Sequence, residues 1–160
     1  MEGLTLYSRT DLLALTQKRQ GETKLGEKIR TIDSLEELKQ CPAHFVVLGI
    51  PENIGVMANY GLAGTATAWQ PVLRNLLNVQ SNSFLSGSNI LVLGHFEFPI
   101  PGDESPQALM ESVAQIDEQV YPVIQKIFEA GKVPIIVGGG HNNAYPIIKA
   151  LSLARGKAVD

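Results

Sequence analysis

Val133-Pro134-Ile135-Ile136-Val137-Gly138-Gly139-Gly140-His141-Asn142-Asn143-Ala144-Tyr145-Pro146 is the stretch whose reading decides the fold. A short, β-branched apolar run between turn signals reads as a strand buried on both faces, as in a parallel sheet. The three glycines that follow let the backbone turn sharply and let another group approach closely. The histidine is thereby delivered to the carboxyl end of a strand, where open α/β sheets place their ligands. A helix from about Ala144 to Ala154, ended near Gly156, completes the unit.

The same alternation recurs upstream. Phe45-Val46-Val47-Leu48-Gly49-Ile50 reads as a first strand stopped by Pro51, and a glycine-rich loop runs on to Thr67. Ala68 to Val79 reads as a helix, with Pro71 tolerated in its first turn. Asn89 to Gly94 is the second strand, and a proline-rich loop leads to Ser105, a helix cap, with Pro106 at the first helical position. Leu109, Val113, Ile116, Val120, Ile124, Ile127 and Phe128 form one apolar stripe along that helix; Pro122 is predicted to kink it and Gly131 to end it. This spacing predicts an α/β fold, a parallel sheet in a three-layer α/β/α arrangement.

Residues 1–32 are polar and mixed and are expected to form an amino-terminal arm or loop, with Lys18 to Glu22 solvated. Residues 33–160 are expected to belong to a single α/β domain, opened by a short helix in which Ser34 and Glu37 form a capping box. Lys157 to Asp160 reads as the start of a further strand, so the chain is expected to be the amino-terminal portion of a longer protein. A sheet edge left open in this way predicts self-association, a possible homo-oligomer.

Composition narrows the class. With 160 residues, 44% hydrophobic and 18% charged, the chain is an ordinary globular one. A net charge of −3 gives no footprint for nucleic acid or for an anionic membrane. The amino terminus lacks a signal-peptide pattern and no apolar run approaches membrane-spanning length. Cys41 is the single cysteine, which excludes an internal disulfide and fits a reducing, cytoplasmic setting; a quiet structural thiol is the expected role.

Of the three histidines, His44 precedes the first strand and is expected at the surface, and His95 ends the second strand with a packing or hydrogen-bonding role. His141 is the candidate metal ligand. The composite of buried strand, glycine turn, imidazole, amides and helix holds a ring rigidly where a neutral nitrogen faces a metal. Asn142 and Asn143 are good helix caps, and Tyr145 and Pro146 open the last helix.

Val137 to Tyr145 resembles the first metal-ligand motif of the ureohydrolases, the family of arginase, agmatinase and formimidoylglutamase. Leu48-Gly49-Ile50-Pro51-Glu52 and the loop to Gly64 resemble that family's first strand and following loop. The resemblance covers about Phe45 to Asp160 and implies an arginase-like fold. It also implies a binuclear Mn²⁺ cofactor that activates a bridging water against a guanidinium or formimino carbon. By that pattern His141 is a terminal metal ligand. The remaining ligands come from Asp-x-His-x-Asp and Asp-x-Asp motifs that these 160 residues do not contain, so the chain alone is expected to be inactive, with no catalytic residue of its own. Arginases and agmatinases mostly carry Gly-Gly-Asp-His-Ser where this chain has Gly-Gly-Gly-His-Asn, and the loop Ile54 to Tyr60 lacks an arginine often found in arginases. Both departures favour a formimidoylglutamase-like hydrolase of linear amidines, which would take N-formimino-L-glutamate to L-glutamate and formamide in histidine breakdown.

Two other readings compete. A non-catalytic, arginase-like structural or regulatory protein would lack the later aspartates. A nucleotide-binding module fits poorly, since Asn143 stands where G-x-G-x-x-G requires its last glycine and no Walker lysine follows.

Overall fold

In the computed structural model, which describes residues 3–158, four strands form one sheet in the order β1-β3-β2-β4. They are β1 (Leu4–Leu6), β2 (Phe45–Ile50), β3 (Ile90–Phe96) and β4 (Val133–Gly138). β2 lies centrally and runs parallel to both β3 and β4, with Phe45 level with Ile90 on one side and Val133 on the other. β1 pairs antiparallel with β3, Leu4 opposite Phe96. The sheet is therefore mixed, where the sequence predicted a parallel one.

That difference comes from the amino-terminal segment, and the expected arm over residues 1–32 is corrected over its described part. Leu12, Leu25 and Ile29 are buried, and with Tyr7 they join Trp69, Leu73 and Leu77 in a core on one face of the sheet. Arg30 extends the cover of β3 by accepting the Val92 N–H at 3.1 Å and donating its own to Ile90 at 2.9 Å. Of the loop expected to be solvated, Lys18 to Gly21 are exposed, while Glu22 is half-buried and pairs with Lys24 at 2.6 Å.

Five α-helices complete the layers: α1 (Arg9–Ala14), α2 (Ile54–Ala58), α3 (Trp69–Asn78), α4 (Pro106–Glu129) and α5 (Ala144–Arg155). β2 divides its side chains between two cores by the two-residue period of a strand. Val46, Leu48 and Ile50 face the α4 side with Val120, Ile124, Ile127 and Ala150, whereas Val47 faces Trp69 and Leu73. This is the three-layer α/β/α arrangement. A Cβ at Gly49 would lie 2.5 Å from Trp69 Cδ2, so the missing side chain is what lets the indole pack against β2.

Ser105 caps α4 by accepting the Ala108 N–H, and α4 runs on through Pro122. Gly131 follows it in the left-handed region at φ +72°, and Gly156 does the same for α5 at φ +64°. Ser34 makes no side-chain cap bond, because Leu35–Lys39 winds as a 3₁₀ helix rather than an α-helix; the capping box instead occurs at Ser8 and Asp11. The segment after β2 contains α2, where the sequence predicts only loop. Of the expected strand at Lys157 to Asp160, Lys157 and Ala158 are not in a strand, and Val159 and Asp160 lie outside the described residues.

Candidate metal-ligand site at the carboxyl edge of the sheet

β2 and β4 end side by side, and one carboxylate joins their ends. Glu52, two residues beyond β2, is 3% exposed. Its Oε1 accepts the Gly140 N–H at 2.7 Å and the Asn143 Nδ2–H at 3.1 Å, and its Oε2 accepts the Gly55 N–H at 2.8 Å. Gly139 N–H donates to Ile50 O at 2.9 Å, which carries the strand pairing into the turn. No described Lys, Arg or His forms an ion pair with Glu52. Three N–H donors therefore carry the cost of burying this group.

The glycine turn is shaped by this contact. A Cβ at Gly139 would sit 2.0 Å from the Glu52 carbonyl oxygen, so only glycine lets the two chain segments touch. At Gly140, where the arginase pattern has an acidic residue, a Cβ would meet Asn142 Oδ1 at 2.3 Å. The space is already occupied by Asn142.

His141 follows directly, at the start of a 3₁₀ turn over His141–Asn143. It is exposed, and its imidazole makes no hydrogen bond to any described residue, while its carbonyl accepts the Ala144 N–H. With Gly55, Val56, Asn59, Gly61 and Asn142 it lines a cleft of about 350 Å³. The imidazole thus stands at the carboxyl edge of β4 with its ring nitrogens free to coordinate. It is a single donor: among the described residues no group of three His, Cys, Asp or Glu side chains is gathered where it could hold a metal ion. A manganese pair does not fit the described residues alone, and His141 supplies one corner of such a site at most.

The other sequence candidates lie elsewhere. His95, on β3, stacks on Trp69 at 6.2 Å and meets Tyr7 edge-on at 5.4 Å. Burial lowers its pKa and the Glu97 carboxylate, 3.4 Å from its Nε2, acts in the opposite direction. That is a packing position. His44 is exposed before β2 and contacts Phe45, and Cys41 is a half-buried free thiol. Neither asparagine acts as the expected side-chain cap of α5. Asn143 is diverted to Glu52 and to the Gly140 carbonyl, and both polar atoms of Asn142 are buried without a partner among the described residues.

Two residues escape the sequence reading. Glu52 carries a weak signal, a carboxylate placed directly after a buried strand and a proline. Asp117 carries none, since it sits one position beside the apolar stripe of α4. It is 8% exposed and its Oδ1 has no hydrogen-bond partner among the described residues. Burial pushes its pKa up to about 6; Glu118 and Glu52 push the same way and Lys149 opposes them.

Taken together, the sheet order, the two helical layers and an exposed imidazole at a strand's carboxyl end define a three-layer α/β protein that presents a histidine at the carboxyl edge of its sheet. The sequence model of the Arginase family matches residues 43–160. That is well over half of the chain, and the chain belongs to the arginase family. It is 29% identical over 114 residues to a formimidoylglutamase of Aromatoleum aromaticum, covering 66% of this chain and 30% of that protein. The chain therefore spans under a third of this curated relative's length. Its fold is similar to the crystal structure of Trypanosoma cruzi formiminoglutamase with Mn²⁺, with a TM-score of 0.58 and 19% identity over 83% of this chain and 41% of the other. No described helix is long and apolar enough to cross a membrane.

Proposed function

We propose that this chain is the amino-terminal portion of a manganese-dependent hydrolase of linear amidines, with N-formimino-L-glutamate as its substrate. The observation that carries this reading is the exposed His141 imidazole, set at the carboxyl edge of β4 by the clamp between Glu52 and Gly140. Membership of the arginase family and the similarity to a formimidoylglutamase support it. The metal this reading assigns is manganese, the ion of the Trypanosoma cruzi structure.

When bound, the metal pair supplies a water of lowered pKa as nucleophile. The contribution of this chain is one imidazole ligand whose backbone is fixed by the turn. The described residues hold no general acid or base beside His141, so on this reading the 160 residues alone are inactive. Cytoplasmic location and self-association along the free edge of β4 belong to the same proposal.

The test is to express the reading frame beyond Asp160 and assay it with Mn²⁺ on formiminoglutamate, agmatine and arginine. Manganese-dependent release of formamide from formiminoglutamate, reduced by at least about 100-fold in His141→Ala, is expected. Absence of manganese-dependent hydrolysis on all three substrates would sink the reading, and preference for agmatine or arginine would overturn its substrate.

A further inference from the structure

A second cleft lies at the opposite end of the sheet from His141. It measures about 490 Å³ and is lined by Arg9, Lys28, Arg30, Glu37, Cys41 and Pro42 among others. Pro42 precedes β2, and Arg30 bridges Leu91 near the start of β3, so this is the amino edge of the parallel strands. The cleft shares no lining residue with the cleft at His141.

Its charge is out of balance. In a chain of net charge −3, three cations meet here and none is within ion-pair distance of a described carboxylate. Glu37 is the single acidic side chain on the lining. A fourth cation lies beneath the rim: Lys132 is 8% exposed and donates to Cys41 O at 2.6 Å and Ala43 O at 2.5 Å. Carbonyl dipoles hold that ammonium in place but leave its charge uncancelled.

Two of the cations are also tied to backbone carbonyls. The Arg9 guanidinium donates to the carbonyls of Gly26, Glu27 and Ile29, which leaves two of its five donors unspent. Among the described residues Arg30 spends only Nε, on Ser88 O at 2.9 Å, and its paired terminal nitrogens, the ones that grip an oxyanion, are without a described partner. The Arg9 guanidinium, fixed by three neutral carbonyls, loses little entropy on engaging an anion.

We propose that this amino-edge cleft binds a small, doubly charged oxyanion, with Arg30 and Lys28 as its principal contacts and Arg9 and Lys132 supplying positive potential. The site is independent of any hydrolysis at His141.

The experiment is to titrate the ¹⁵N-labelled 160-residue protein with inorganic phosphate and, separately, with succinate at constant ionic strength. Saturable shifts centred on the amides of residues 28–32 and of Cys41 are expected for at least one of the two. Phosphate alone would assign a phosphoryl ligand and succinate alone a dicarboxylate. Removing two charge-assisted contacts in Lys28→Gln/Arg30→Gln should weaken binding by about tenfold or more. The charge-matched control Lys18→Gln/Arg19→Gln, on the exposed loop, should leave it unchanged. Lys28→Gln alone covers the case in which losing the Arg30 bond to Ser88 disturbs the fold. Shifts that do not saturate with either anion, or equal weakening in the control, would overturn the proposal.

Discussion

Glu52 Oε1 accepts the Gly140 N–H at 2.7 Å, a bond between residues 88 apart in sequence that sets the end of β2 against the turn presenting His141. The same carboxylate also takes N–H groups from Gly55 and Asn143. One buried side chain thus fixes α2, the glycine turn and the entry to α5.

Glu52→Ala leaves those three donors unpaired in a buried site. At roughly 1–3 kcal/mol for an orphaned buried donor, with water entering to relieve part of the loss, the expected cost is about 3–4 kcal/mol. Glu52→Gln keeps one accepting oxygen and places an amide where a second was, and should cost about 1–2 kcal/mol. Urea unfolding gives both values. Hydrogen exchange at Gly55 and Gly140 should speed up in both variants, and unchanged exchange would mean that the clamp does not hold the turn.

Much of this arrangement is legible in the sequence and some of it is not, for physical reasons. β4 and its glycine turn can be read because a β-branched run and three glycines are local signals, but its expected burial on both faces is not met, since β4 ends the sheet order and Val133 and Ile135 are 41% and 43% exposed. Ser105 and Pro106 mark the start of α4 in the same local way. Leu12, Leu25 and Ile29 give no such signal, being spread over short elements with no shared period, so their burial beside Trp69 becomes visible only in three dimensions. Of the site, His141 is readable by type and position. Glu52 is not, because its partners are backbone amides brought together by tertiary structure.

Gly140 and Asn142 should behave as a coupled pair. A Cβ at residue 140 would lie 2.3 Å from Asn142 Oδ1 and 3.3 Å from Val56 N, and an aspartate there would also bring charge beside Glu52. Gly140→Asp alone should therefore cost about 2–3 kcal/mol. Shortening the neighbour in Gly140→Asp/Asn142→Ser, which recreates the arginase spelling, should recover about 1 kcal/mol of that loss. A double-mutant cycle by thermal unfolding measures the coupling. Strict additivity would show that Asn142 is not what fills the space.

Gly49 faces the Trp69 indole with no room for a methyl group, the nearest ring atoms lying 2.5–2.8 Å from a built Cβ. Gly49→Ala must push the indole off β2 and strain its 3.1 Å bond to the Tyr7 hydroxyl. About 2–3 kcal/mol of destabilisation is expected, with altered tryptophan fluorescence. A wild-type spectrum together with wild-type stability would contradict the packing.

Asp117 makes a prediction with a definite pH sign. Its folded-state pKa, raised to about 6 chiefly by burial, lies above that of the same group in the unfolded chain. The folded state therefore holds this proton more tightly. Its stabilising contribution is complete below about pH 4 and is lost as pH rises through about 6, so at neutral pH the ionised carboxylate opposes folding. Asp117→Asn keeps the shape without the charge. It should raise stability at about pH 7.5 by about 1–2 kcal/mol, after discounting for solvent screening and for the attraction of nearby Lys149. The gain should shrink to near zero at about pH 4, where the wild-type group is protonated. Urea midpoints of both proteins across that range give the answer directly. A variant less stable than wild type at neutral pH would mean that the carboxylate is held in its charged form by a partner, Lys149 being the nearest candidate.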